Sequence, residues 1–181
     1  MSRIPAVEAA DAQGKTKELL DRVHKSVGMV PNLHRVAAQS PAALDGLISL
    51  MQALDQGRLK PQLRQQIGIA VAECGGSDYC LSAHTTFGKM VGVSDDDLAL
   101  ARDAQASDAR VATALRFARE VVETCGQVSD DDLAMVLQAG FSQGDVVEIV
   151  AQIALTLFAS MVNNVAETDV EFPLISACKA A

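Results

Sequence analysis

The sequence is poor in aromatic residues: Phe, Trp and Tyr make up 3% of its 181 residues, and Trp is absent. Hydrophobic residues nonetheless account for 49% of the chain, so the core must be built from Ala, Leu, Val, Ile and Met. Such a core favours packed helices over a β-sandwich. Convincing alternating runs of strand length are also missing. We therefore expect an all-α protein with one domain over residues 1–181.

Clusters of Lys and Arg are missing too. The formal net charge is -8 and the isoelectric point is about 4.8. Binding to nucleic-acid phosphates or to an anionic membrane surface needs clustered positive charge, so we expect neither partner. Residues 1–17 lack the apolar core of a signal peptide, and the expected compartment is the cytoplasm.

One run, residues 146–162, is apolar enough to raise the question of a membrane span. It contains Glu148 and Gln152 and is only just long enough to cross the hydrocarbon layer. The pattern therefore favours a helix buried in the core or at a subunit interface.

Regular cysteine spacing is absent as well. In a reducing compartment the four cysteines are not expected to form structural disulfides. A metal site built on Cys80, His84 and Asp78 would need a further ligand at regular spacing, and none is present. The aspartate runs 95–97 and 130–132 lack the glycine and the glutamate of a calcium loop. We expect no metal and no other cofactor.

Helix signals are dense along the chain. Three predicted helices follow one another, from Pro41 to the stop at Gly57, from Pro61 to Gly75, and from a cap at Ser77 to near Gly92. Amphipathic or apolar patterns predict further helices at residues 9–28, 108–126 and 142–167, with a loop and a short helix between 28 and 41.

Two helix starts are nearly identical, VSDDDLALA from Val93 and VSDDDLAMV from Val128. In each, Ser94 or Ser129 can cap the helix, and the aspartates favour its positive N-terminal end. The recurrence indicates either a duplicated helical hairpin or a good helix start used twice.

Cys80 and His84 are the strongest site residues. Four residues apart on one helix, their side chains lie on the same face, and a thiol beside an imidazole is an activation geometry. If Ser77 caps the helix, Cys80 is the third helical residue, where the helix dipole favours a thiolate by roughly 0.3–1 kcal/mol. That is too little alone, so a protonated His84 would have to supply the rest.

The segment QLRQQIGIAVAECGGSDYCLSAHTTFG, with the stretches GMVPNLHRVAAQSPAAL and NNVAETDVEFP, resembles the carboxymuconolactone decarboxylase superfamily in its alkylhydroperoxidase-D-like, peroxidase-related branch. The most specific part is the Tyr-Cys-x-x-Ala-His string at residues 79–84. The resemblance implies an all-helical, homo-oligomeric protein, a trimer or hexamer, whose Cys-x-x-Cys-x-x-x-His site reduces alkyl hydroperoxides.

In the pattern that the resemblance implies, the attacking cysteine falls on Cys80 and the proton-relaying histidine on His84. The resolving cysteine falls on Ser77, and a glutamate of the relay falls on Gln65. Serine cannot form the disulfide that recycles a sulfenic acid, and an amide cannot take the proton that a carboxylate takes. Attack of Cys80 on a peroxide is compatible with these two changes, but recycling through a disulfide with the resolving cysteine is not.

Two reductants are then open: Cys74 as a substitute resolver, or an external thiol such as glutathione. Cys74 lies on an apolar face and reads more as a small core residue than as a resolver. Tyr79 either shapes the pocket or only packs. His24 and His34 have no matching partner in the sequence and are expected at the surface or an interface.

The expected function is thiol-dependent peroxide reduction, with a peroxide substrate and an external thiol or disulfide reductant. Ser77 and Gln65 favour a rival, a scaffold or binding protein that has lost the chemistry. A lactone decarboxylase, which the superfamily name suggests, comes last, because that branch lacks the string at residues 79–84.

Overall fold

The computed structural model describes residues 2–178, and over this range the predicted all-α fold is confirmed, with no strand among the described residues. In chain order the helices are α1 (Gly14–Val27), α2 (Asn32–Ala37), α3 (Pro41–Asp55), α4 (Pro61–Cys74), α5 (Asp78–Met90), α6 (Asp95–Arg102), α7 (Ala109–Glu123), α8 (Asp130–Gln138) and α9 (Gln143–Ala166).

The helix starts follow the predicted caps. The Oγ atoms of Ser40, Ser77 and Ser94 each accept a hydrogen bond from the backbone N–H three residues later. Ser129 and Ser142 form full capping boxes with the third residue of their helices. These local bonds satisfy backbone donors that the helix cannot, which fixes where each helix begins.

Helix α4 lies at the centre of the molecule. It packs most extensively against α5 and also contacts α6, α7 and α9. Because neighbours cover it on several sides, its apolar residues are buried almost all round, including Ile67, Ile69, Val71 and Ala72. The two repeated starts lead into different surroundings, since α6 packs on α4 whereas α8 packs on α7.

Helix α9 is the one described helix long and apolar enough to cross a membrane, with a mean hydropathy of 1.8 in its most apolar window. Half of that window is buried within the structure, where α9 packs against α3, α4 and α7 among others. A core helix satisfies the same length and composition test. The structure thus agrees with a core helix, one face of which remains exposed.

Residues 167–178 run back across α5 without regular structure. The Ile175 N–H donates to Ser82 Oγ at 2.9 Å, and the Ala177 N–H donates to Asp78 Oδ1 at 2.8 Å. The Cys178 N–H donates to Glu73 at 2.6 Å. This tail therefore closes over the helix that carries Cys80.

Candidate functional site

A cavity of about 490 Å³ lies between α2, α3, α4, α5 and α9. Cys80 and His84 both line it, and so do Gln65 and Tyr79. Most of the remaining wall is apolar, with Leu47, Met51, Phe87, Leu155 and Phe172 among the lining residues. The structure thus brings the two sequence-predicted reactive side chains to one largely apolar cavity.

Cys80 is almost completely buried, with 3% of its surface exposed. Its backbone N–H donates to Ser77 Oγ at 3.4 Å, so Ser77 is the cap that the sequence predicts. The Nδ2 atom of Asn163, on α9, donates to Cys80 Sγ at 3.4 Å. A polar side chain of α9 is therefore in contact with the sulfur.

Asn163 is a site residue that sequence reasoning missed. It lies in the NNVAETDVEFP stretch that carries part of the family resemblance, but nothing in the spacing of the Asn163–Asn164 pair on this apolar helix singles Asn163 out. It is 2% exposed, and its Oδ1 has no hydrogen-bond partner among the described residues. Only the packing of α9 against α5 brings it to the thiol.

His84 is held by Gln65. The His84 Nδ1 and the Gln65 Oε1 are 2.8 Å apart. Burial lowers the pKa of His84 to about 4, so the ring is neutral at pH 7. Because an amide oxygen only accepts, Nδ1 carries the hydrogen and Nε2 has the lone pair.

The neutral ring corrects one expectation. The expectation that a protonated His84 activates Cys80 electrostatically is wrong, because a side chain with a pKa of about 4 is not protonated near pH 7. His84 is instead suited to accept a proton at Nε2.

Tyr79 lines the cavity, and its hydroxyl makes two hydrogen bonds. Its hydroxyl accepts from the Leu33 N–H at 3.0 Å and donates to Glu171 at 2.7 Å. Burial raises its pKa well above the usual value, and so does the hydrogen bond to Glu171. It also meets the Phe172 ring edge to face. Tyr79 therefore stays neutral and ties α2, α5 and the tail together.

Cys74 does not lie where the sequence placed it. It is exposed rather than a core residue, and it is not among the residues that line the cavity. Desolvation of its partly covered thiol raises its pKa, which lowers its reactivity as a resolver. The expectation of a buried core cysteine is wrong because Cys74 is the last residue of α4, where the helix leaves the core.

Glu73, next to Cys74, is engaged elsewhere. Its carboxylate accepts from Arg102 Nε at 2.7 Å and from the Cys178 N–H at 2.6 Å. Burial alone would raise its pKa, but these hydrogen bonds outweigh that effect and lower it. Glu73 therefore anchors the tail and does not replace Gln65.

The two other histidines differ from each other. His24 is exposed on α1, as expected. His34 is 5% exposed and lines the cavity, which contradicts the expectation of a surface or interface residue. The short helix α2 packs against its neighbour α3 and against α9, which is far away in sequence, so the burial of His34 depends on tertiary packing. Within residues 2–178, no group of three or more His, Cys, Asp or Glu side chains could hold a metal ion.

Comparison with protein-family models matches residues 41–124 to the carboxymuconolactone decarboxylase family. This segment runs from the start of α3 to just beyond α7, and it contains Gln65, Ser77, Cys80 and His84. Comparison with curated proteins finds no significant match.

Several solved structures share the fold over nearly the whole chain. A peroxidase-related protein from Ralstonia eutropha JMP134, described as an alkylhydroperoxidase AhpD core, is 22% identical with a TM-score of 0.84, over 94% of this chain and 92% of that one. A peroxidase-related protein from Silicibacter sp. TM1040 is 18% identical with a TM-score of 0.78, over 92% and 91%.

The debrominase Bmp8 is also 18% identical, with a TM-score of 0.79 over 93% of this chain and 91% of that one. A cysteine-to-alanine variant of that debrominase is known in complex with 2,3,4-tribromopyrrole. At these identities the structural likeness establishes the fold. Residues 41–124 thus match the carboxymuconolactone decarboxylase family, in agreement with the predicted resemblance, and the chain shares the fold of alkylhydroperoxidase-D-like, peroxidase-related proteins.

Proposed function

We propose that this protein reduces alkyl hydroperoxides with the thiol of Cys80 as the attacking group and His84 as the proton relay. The observation that carries the proposal is the position of Cys80. Its buried sulfur lies on the wall of the cavity, beside the Asn163 donor and one helical turn before the basic Nε2 of His84. Nucleophile, base and base-orienting residue are thus present together.

In the proposed step the Cys80 thiol gives its proton to His84 Nε2, and the sulfur attacks the terminal oxygen of the hydroperoxide. An S–O bond forms and the O–O bond breaks. The sulfur is oxidised to a sulfenic acid, and the peroxide is reduced to an alkoxide. The proton returns from His84 to the alkoxide, so thiol and hydroperoxide become sulfenic acid and alcohol.

Recycling then needs an external thiol. Ser77 carries no sulfur, and Cys74 is exposed and outside the cavity wall. Exposed residues such as Ser26 and Met90 also line the cavity, so a small thiol such as glutathione has a route in. One thiol would form a mixed disulfide and release water, and a second would restore Cys80.

The test is oxidation with a substoichiometric dose of cumene hydroperoxide in the presence of dimedone, followed by intact mass and peptide mapping. We expect one dimedone adduct, at Cys80, and none in Cys80→Ala. Cys74→Ser is the matched control and should be labelled like the wild type. No adduct, or equal labelling of all four cysteines, would contradict the proposal and favour the scaffold or binding protein that Ser77 and Gln65 suggest.

A second candidate reaction is the removal of halogen from a small aromatic ring. The observation that favours it is the fold shared with a debrominase, one variant of which binds 2,3,4-tribromopyrrole. Incubation with that compound and a thiol, with bromide release measured, distinguishes it from peroxide reduction. Nothing in the site favours lactone decarboxylation over either reaction.

We also propose that the protein is a cytoplasmic homo-oligomer, a trimer or hexamer as the resemblance implies. Exposed apolar residues on α9 recur at a spacing of three and four: Val147, Val150, Ala154, Phe158, Met161 and Val165. That spacing is typical of a helix seam that packs on another helix. Light scattering should give an oligomer mass, and Met161→Lys with Val165→Lys should lower it. A monomer for the wild type would contradict the proposal.

A further inference from the structure

His34 is a buried histidine without a hydrogen-bond partner. It is 5% exposed, and neither Nδ1 nor Nε2 bonds to any atom among the described residues. Buried polar groups are almost always paired, and leaving one unpaired is unfavourable for folding. An unpaired group that faces a cavity indicates that the missing partner comes from outside the chain.

The position of His34 links it to Cys80. Both line the same cavity. Their helices are joined by the residues that directly precede them. The N–H of Leu33, before His34, donates to the hydroxyl of Tyr79, before Cys80, at 3.0 Å. A ligand held by His34 would therefore occupy the space that Cys80 faces.

The other polar side chains of the wall that have buried atoms each have at least one partner, although Arg64 Nε lacks one. Tyr79 is bonded on both sides, Gln65 holds His84, and Gln152 bonds to Thr156. His34 differs from them because both of its ring nitrogens are free within the described part of the chain.

The wall also lacks uncompensated charge. Among the described lining residues, Arg64 and Asp55 carry charge at pH 7 and are paired with each other. Burial lowers the pKa values of His34 and His84 to about 4, so both rings are neutral there. Desolvating a charged ligand in such a space would go uncompensated.

We propose that the cavity binds an uncharged, largely apolar organic molecule with one hydroxyl-type group, and that His34 hydrogen-bonds to this group. A neutral imidazole offers one N–H and one lone pair, which match a hydroxyl that both donates and accepts. The volume of about 490 Å³ lies within the usual range for small-ligand pockets. Taken with the proposed function, on which this point rests, the substrates would be uncharged aryl or alkyl hydroperoxides rather than carboxylate-bearing ones.

Calorimetric titration with 2-phenylpropan-2-ol tests this, because this alcohol matches cumene hydroperoxide in shape but does not consume Cys80. His34→Leu should bind it about five- to tenfold more weakly than the wild type, the loss expected for one hydrogen bond. His34→Gln, which keeps a donor and an acceptor, should recover most of the affinity. His24→Gln changes an exposed histidine and should bind like the wild type. The anion 4-(2-hydroxypropan-2-yl)benzoate should bind at least about tenfold more weakly than the alcohol.

The NMR signals of the imidazole nitrogens test the hydrogen bond itself, because a purely structural role of His34 would not make them shift when the alcohol is added. The signals of His34 should shift as the wild type is titrated with the alcohol, and those of His24 should not. Absence of binding, or equal binding by His34→Leu with unshifted His34 signals, would overturn the proposal. Should His34→Leu fail to fold, the wild-type shifts decide.

Binding and chemistry can fail separately. Binding with no dimedone adduct at Cys80 would contradict peroxide reduction and leave the role of His34 standing. A dimedone adduct at Cys80 without alcohol binding would support peroxide reduction and contradict the role of His34.

Discussion

Gln65 stands where the family resemblance implies a glutamate, yet it still makes the hydrogen bond that orients His84, at 2.8 Å. A carboxylate would make this bond and would also stabilise the protonated ring. The amide makes the hydrogen bond but does not stabilise the protonated ring, and burial lowers the pKa of His84 to about 4. His84 is consequently oriented as a base but is a weak one.

Restoring the carboxylate should strengthen the relay. In Gln65→Glu we expect the His84 pKa to rise, because an adjacent negative charge favours the imidazolium. The single-turnover rate of Cys80 oxidation by cumene hydroperoxide should rise by about tenfold at pH 7, the effect of roughly 1.4 kcal/mol on the barrier. Stopped-flow oxidation and a histidine NMR titration measure the two effects.

Gln62→Glu is the matched control, because it adds the same charge on the exposed face of α4. It should leave both the rate and the His84 titration unchanged. An unaltered His84 titration in Gln65→Glu would mean that the hydrogen bond between the two residues is not maintained in solution.

At the level of elements, the residue that begins α5 has both a structural role and a place in the proposed chemistry. Ser77 caps the helix through its bond to the Cys80 N–H, and it occupies the position of the resolving cysteine in the family pattern. In Ser77→Cys we expect peroxide to form a disulfide between the new thiol and Cys80. The mass should fall by about 2 Da relative to the reduced protein, with no dimedone adduct.

The same substitution weakens the cap, and we expect it to cost about 1 kcal/mol of stability in urea unfolding. Ser77→Ala loses the cap without adding sulfur and is the control: it should be destabilised similarly but still give the Cys80 adduct. A persistent adduct in Ser77→Cys would show that the two positions cannot approach closely enough to bond.

The helices could be predicted from the sequence because their signals are local. A capping serine, a proline at the first position or a closing glycine acts within one turn, and the starts of α3, α4 and α5 follow these signals. Cys80 and His84 could be paired for the same reason, being one turn apart.

Contacts between elements could not be predicted in this way. His34 lies on α2, which packs against the distant helix α9, and Asn163 reaches Cys80 across 83 positions. Gly68 is another case: a Cβ there would lie 2.5 Å from His84 Nδ1, so the imidazole fits only because α4 has a glycine at that point. None of these relations has a period or a motif in the sequence.

For the molecule as a whole, two buried neutral histidines make stability depend on pH. The pKa values of His34 and His84 are about 4 in the folded state and about 6.5 in an unfolded chain. Below pH 6.5 the unfolded state therefore binds protons that the folded state does not, and the stability present above pH 6.5 is lost as the pH falls towards 4.

Between pH 7 and pH 5 we expect each histidine to remove about 2 kcal/mol from the free energy of unfolding, about 4 kcal/mol together. Most carboxylates titrate below this window, so the histidines dominate the change. Urea unfolding at several pH values measures this loss of stability.

His34→Gln should roughly halve the loss, because the glutamine does not titrate, whereas His24→Gln, at an exposed site, should leave the slope of stability against pH unchanged. A slope that is equal in the wild type and in His34→Gln would mean that His34 is solvated or partnered in solution, which would also remove the basis for its role in the cavity.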